Sequence, residues 1–181
     1  MADRKYTYLS DEDIDVIKKW HASLDRNRGH RAILRRAARV EDVLLTEAFF
    51  GFLTELSKAS PKWRAKRRLY QSALLAGLLS HVKQHIPSKS FATQLATPKQ
   101  DSTRAPVSAL RFQNLQKSRT QNDFYRNMLS AIKLLDGKLN LLSMADDVLH
   151  WMDEYEHGSS ADPQKRLAVN WANDYYLTLA K

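Results

Sequence analysis

Glycine and proline are scarce in this chain, five of each among 181 residues, and that shortage constrains the fold more than any motif does. An all-β protein needs a tight turn roughly every ten residues, and the turn-formers to supply them are missing. Long segments instead repeat apolar residues at helical intervals, and the chain is long enough to bury a packed core. The expected fold class is all-α: two small helical bundles, at residues 1–90 and 107–181, joined by a linker at residues 91–106.

Local signals place the helices. Ser10 with Asp13 has capping-box spacing, and the following helix buries Ile14, Ile17, His21 and Leu24. EDVLLTEAFFGFLTELSKAS carries a stripe of Val43, Phe49, Phe50, Leu53 and Leu56, with Gly51 inside it as a point of close helix packing. Pro61 opens a helix expected to run to His85, apolar on most sides in its second half and therefore central. The stretch from Pro87 to Pro106 is rich in Ser, Thr, Pro and Lys and reads as the connection. Beyond it, Leu110 and Leu115 mark a short helix. Phe124, Met128, Ile132 and Leu135 mark a second, which Asp136-Gly137 stops. Leu141, Ala145, Val148, Met152 and Tyr155 line a third, ended by Gly158. Asp162-Pro163 starts the last one, with Leu167, Trp171 and Tyr175 on one face.

Charge is the other strong signal. The formal net charge is +9, which at this length points to a polyanionic partner. Residues 1–90 hold 18 of the 29 Lys and Arg but 10 of the 20 Asp and Glu, so the excess sits in the first half. Its densest part is RNRGHRAILRRAARV, six arginines without an acid. Read as one helix, Ile33, Ala37 and Val40 form a docking edge, while Arg28, Arg31, Arg35 and Arg39 lie opposite with Arg36 beside them. That spacing sets guanidinium groups about 5.4 Å apart, suited to tracking phosphates. A second cluster holds Arg64, Arg67 and Arg68 beside Trp63 and Tyr70. Such aromatics can stack bases, although the face they share with Leu74 also fits a core role. A third, sparser group is Arg111, Lys117, Arg119 and Arg126.

Catalytic patterns are weak, and no enzyme activity, cofactor or metal is expected. His81 and His85 have i,i+4 spacing but lack a third ligand, so they read as a surface pair. Asp146, Asp147, His150 and Asp153 lie on adjacent turns, with no second acidic cluster on another helix to complete a metal cage. Cysteine is absent, so nothing argues for an oxidising compartment. MADRKYTYLSDEDID has no apolar core, and no apolar run approaches the roughly 18 residues that span a bilayer. A cytoplasmic protein, neither secreted nor membrane-bound, is the expectation.

Several pieces together resemble the CasB family, the small subunit of the type I-E CRISPR surveillance complex Cascade. They are HRAILRRA ahead of FFGFL, then WRAKRRLYQSALLAGLLS, VSALRFQNLQKSRTQNDFYRNMLSAI, NLLSMADDVLHW and the ending DYYLTLAK. The resemblance implies a non-catalytic helical protein present as a head-to-tail pair among other Cascade subunits. It also implies that the protein helps hold guide RNA and target DNA and stabilises the displaced single strand of the R-loop. Arg35 and Arg36 match the family's paired arginines. Arg111 matches the arginine opening the second-half helix, with Ala109-Leu110-Arg111 standing where the family often has a Leu-Gly-Arg-like pattern. The rival readings are a free-standing helical DNA-binding transcriptional regulator, and a metal-dependent phosphohydrolase using Asp147 or His150.

Overall fold

The computed structural model describes residues 6–180. Met1–Lys5 of the acid-bearing N-terminus and the final Lys181 of DYYLTLAK lie outside the described residues. The fold is all-α: its ten described helices are α1 (Asp11–Arg26), α2 (Arg28–Arg36), α3 (Val40–Leu44), α4 (Glu47–Ala59), α5 (Leu69–His81), α6 (Phe91–Ala96), α7 (Ala109–Gln116), α8 (Gln121–Leu134), α9 (Leu141–His157) and α10 (Leu167–Leu179). Two-residue strands β1 (Gln84–His85) and β2 (Lys138–Leu139) pair in parallel, Gln84 opposite Lys138 and His85 opposite Leu139.

Helix α5 is the axis of the molecule. Gln71 to Ser80 are all buried, and α2, α3, α4, α8 and α9 pack around it, as an all-round apolar sequence requires. Gly77 lets α8 come close: a Cβ there would lie 2.6 Å from the Tyr125 hydroxyl oxygen. The expected packing glycine, Gly51, instead faces open space, because α4 turns Phe49, Phe52 and Leu56 inward and leaves Phe50 half exposed. At the start of α1, Ser10 and Asp13 form the expected capping box. The Asp13 carboxylate also accepts hydrogen bonds from Trp63 Nε1 (2.6 Å) and Lys62 Nζ (2.5 Å), so one buried acid fixes the first helix against the turn that leads into α5.

The helix expected from Pro61 to His85 is not continuous. Pro61–Arg64 and Lys66–Arg68 are separate 3-10 turns, and α5 ends at His81. The segment expected as a linker is also partly built into the core. Ser90 caps α6, and Phe91, Ala92, Leu95 and Ala96 are buried against α10, so an unstructured connection is confined to the residues after it. Phe91 and Leu95 are an i,i+4 apolar pair, each side chain contributing about 1.5–3 kcal/mol on burial. Residues from both halves belong to one connected core.

Candidate nucleic-acid interface

The arginine-rich segment does not form one helix. Ala37 is extended (φ −65°, ψ 112°), its carbonyl accepting from the Tyr125 hydroxyl at 3.3 Å. Arg39 stands outside α2 as the N-cap residue of α3. Helix α2 is also rotated from the expected orientation. Leu34 is its fully buried residue, while Ile33 is 42% exposed. Arg35 and Arg31 flank Leu34 and point toward the C-terminal end of α5. Arg35 Nε donates to the Ser80 carbonyl at 2.9 Å, and Arg31 Nη2 donates to the Val82 carbonyl at 3.1 Å. Arg31 Nη1 pairs with Asp25 at 2.5 Å. The last carbonyls of a helix lack intrahelical donors and carry partial negative charge, so these two guanidinium groups complete the end of the central helix. Burial and the neighbouring Arg31 lower the Arg35 pKa. Arg28, Arg36 and Arg39 are exposed, Arg39 lying 3.5 Å from Asp42.

The second cluster is likewise rearranged. With the helix broken into 3-10 turns, Arg64 lies in the first turn and Arg67 and Arg68 in the second. Trp63 is buried, and its ring is covered by Lys62 (5.5 Å) and Arg68 (5.4 Å), leaving it in the core role. Tyr70 is half-buried against the core. Arg68 also donates to Gln71 Oε1 at 2.8 Å, while Arg64 and Arg67 are exposed.

The third, sparse group is the one the fold gathers. Lys117, Arg119 and Arg126 line a shallow depression of about 310 Å³ with Asn114, Ser118, Asp123 and Asn127. Asn114 and Asn127 also line a smaller hollow that contains Arg111 and Ser130. Ser130 in turn borders a groove of about 610 Å³ lined by Arg35, His81, Lys83, Lys133 and Asp136. The three are linked by these shared lining residues into a succession of hollows, or band, from Arg119 to Arg35. Helix α8 supplies its floor, because Arg126, Ser130 and Lys133 recur at helical spacing on the face opposite Phe124, Met128 and Ile132. The acids in the band are matched: Asp123 with Arg126 at 2.7 Å, Asp136 with Lys99 at 2.6 Å.

Lys83 and Lys133 were not among the expected site residues. Neither lies in a basic run, and only the Arg126-Ser130-Lys133 periodicity of α8 hinted at one of them. The β1-β2 pair brings their segments together, since Lys83 N and Gln84 N both donate to the Gly137 carbonyl (2.8 and 3.1 Å). His81 Nε2 is buried there without a hydrogen-bond partner. Burial, then Arg35, pushes the His81 pKa down to about 4, so the ring is neutral at physiological pH.

Apart from His81, the histidines and carboxylates weighed as metal ligands have structural partners. The expected surface pair His81 and His85 is divided by the end of α5, and His85 Nδ1 accepts from Leu141 N at 3.0 Å. Asp146 accepts from Tyr8 N (2.7 Å) and Leu9 N (3.0 Å), pinning the N-terminal segment to α9. Asp147 accepts from Trp171 Nε1 at 2.9 Å. His150 lies 3.2 Å from Glu154 and stacks on Tyr8, and Asp153 meets His157 at 3.1 Å. Among the described residues no group of three or more His, Cys, Asp or Glu is placed to hold a metal ion, and no helix is long and apolar enough to cross a membrane.

These features define a class: a helical protein whose candidate metal ligands, His81 apart, are tied into the fold and whose surface hollows are lined by arginines and lysines. Residues 30–176 match the family model of the CRISPR-associated protein Cse2. The chain belongs to that family, the CasB small subunit of type I-E Cascade, and so to a structural subunit family of a CRISPR complex. No curated protein and no solved structure matches it.

Proposed function

We propose that the chain acts within Cascade as a non-catalytic nucleic-acid-binding subunit. Its band from Arg119 through Arg111 and Lys133 to Lys83 and Arg35 would hold the sugar-phosphate backbone of guide RNA, target DNA and, above all, the displaced single strand of the R-loop. The observation that carries this reading is that three depressions holding arginines or lysines from separate parts of the sequence share lining residues. Backbone contacts of this kind need no base recognition, and they can tip an exchange between duplexes of similar stability. Exposed Arg28, Arg36, Arg39, Arg64 and Arg67 would extend the positive field around the band. A second copy, head to tail, would lengthen it, in a cytoplasmic complex with the other subunits.

The regulator reading has less support, because the outer face of α2 presents Gly29, Ala32 and Ile33 between Arg28 and Arg36, a poor set for reading base edges.

Binding of single-stranded DNA across a salt series tests the proposal. Log K should fall against log[salt] by about 0.7 per phosphate contacted, without preference among mixed sequences. A shallow slope that Lys117→Ala/Arg119→Ala/Arg126→Ala leaves unchanged would count against it.

A further inference from the structure

The band ends beside a pocket that its charge does not explain. About 220 Å³ in volume, this pocket is lined by Trp151, Tyr155 and Trp171, with Gln116, Ser118 and Glu154 at its polar side. Ser118 also lines the depression of Lys117, Arg119 and Arg126, so the two share a bordering residue. The aromatic wall is an ordered stack: Phe124 on Trp151 (4.1 Å between centroids, 7° between planes), then Trp151 on Tyr155 (5.1 Å, 14°). The inner rings are buried, whereas the last ring, Tyr155, is 48% exposed. Tyr155 was expected on the buried face of α9; the structure instead leaves it at the mouth of the pocket.

We infer that this pocket takes a single unstacked nucleobase from the strand that the neighbouring cations hold. The inference rests on the proposed nucleic-acid role of the band and adds a contact of another kind. A cationic groove beside an aromatic platform is the combination that retains single strands, one part gripping phosphates and the other stacking a base. The volume is below the roughly 300 Å³ at which pockets for drug-sized ligands begin, which suits one ring system. The polar side favours acceptors. Gln116 Nε2 donates to the Ala168 carbonyl at 2.9 Å, which leaves its amide oxygen to accept. The Glu154 carboxylate already accepts from Leu167 N and Ser159 Oγ and lies 3.2 Å from His150 Nε2, so the Gln116 oxygen is the open acceptor. An acceptor of this type matches the exocyclic amino group of cytosine or adenine rather than the carbonyl edge of thymine.

The test uses this chain, reconstituted with its complex, and a single-stranded DNA probe carrying one 2-aminopurine. Binding should quench the probe. Tyr155→Ala should weaken binding roughly five- to a hundred-fold and restore emission while leaving the salt slope unchanged, and Tyr155→Phe should behave as wild type. Lys117→Ala/Arg119→Ala/Arg126→Ala should instead flatten the slope. If the triple variant loses binding and Tyr155→Ala keeps wild-type affinity and quenching, the pocket assignment is wrong and the band stands. If neither variant changes binding, or wild type does not bind at low salt, the band reading fails and takes the pocket with it.

Discussion

Two basic regions of this molecule reverse the ranking that their sequences suggest. The segment from Arg26 to Val40 is crowded with arginine, yet Arg31 and Arg35 donate to the carbonyls of Val82 and Ser80, and of the two only Arg35 also borders the groove. The region from Arg111 to Arg126 is sparse, yet the turn between α7 and α8 places Lys117, Arg119 and Arg126 around one depression. Charge density along a chain therefore does not tell how many of its charges the fold leaves open. What matters is whether the fold supplies a nearer acceptor, and the exposed end of a buried helix is a strong one.

The largest expected effect separates the two regions by stability. Replacing both Arg31 and Arg35 by alanine should cost about 3 kcal/mol or more, since a hydrogen bond from a charged group is worth about 1.5–3 kcal/mol; urea denaturation would show a lower midpoint. The Lys117/Arg119/Arg126 triple alanine variant should stay within a few tenths of a kcal/mol per site, as surface changes do, roughly ±0.5 kcal/mol. If the two variants unfold alike, the contrast between the regions collapses.

Binding should show the opposite order. The triple variant should reduce the slope of log K against log[salt] by about 2, three contacts at about 0.7 each. Arg28→Ala/Arg36→Ala should change it by less, because those exposed arginines lie outside the band.

A comparable pair tests the packing beneath the band. Gly77→Ala should destabilise by about 1–3 kcal/mol through the clash with Tyr125, moving the floor formed by α8. Gly51→Ala, with open space around it, should stabilise α4 by up to about 1 kcal/mol.

A further effect is on acid stability. His81 titrates near 4 when folded, below its ordinary 6.5. Its neutral burial therefore contributes stability that is complete above pH 6.5 and is lost as pH falls toward 4. Burial depresses His21 and His85 in the same direction. Thermal melts of His81→Leu should fall less steeply over that window than those of wild type.

Much of the helical framework could be read directly. The Ser10-Asp13 box, the stop at Asp136-Gly137 and the buried row Phe124-Met128-Ile132 depend on local chemistry that the chain displays. The misread places depend on distant partners. Nothing near Ala37 breaks a helix; the break follows from Tyr125 and from α2 lying across the end of α5. The turns at Pro61–Arg68 answer to Asp13, some fifty residues earlier, whose carboxylate holds Trp63. Lys83 and Lys133 are fifty residues apart, so no local window unites them.

The short β1-β2 pair gives that union an unexpected dependence. Gly137 has a φ of +72°, and a Cβ on it would lie 2.9 Å from the His81 carbonyl oxygen, so a side chain there would be strained in its backbone and crowded by the end of α5. Two backbone donors from the Lys83 segment meet at its carbonyl. The alignment of positive charge along the groove is thus keyed by a residue that has neither charge nor side chain. Substituting it should scatter the cations in space while leaving every one of them in the sequence.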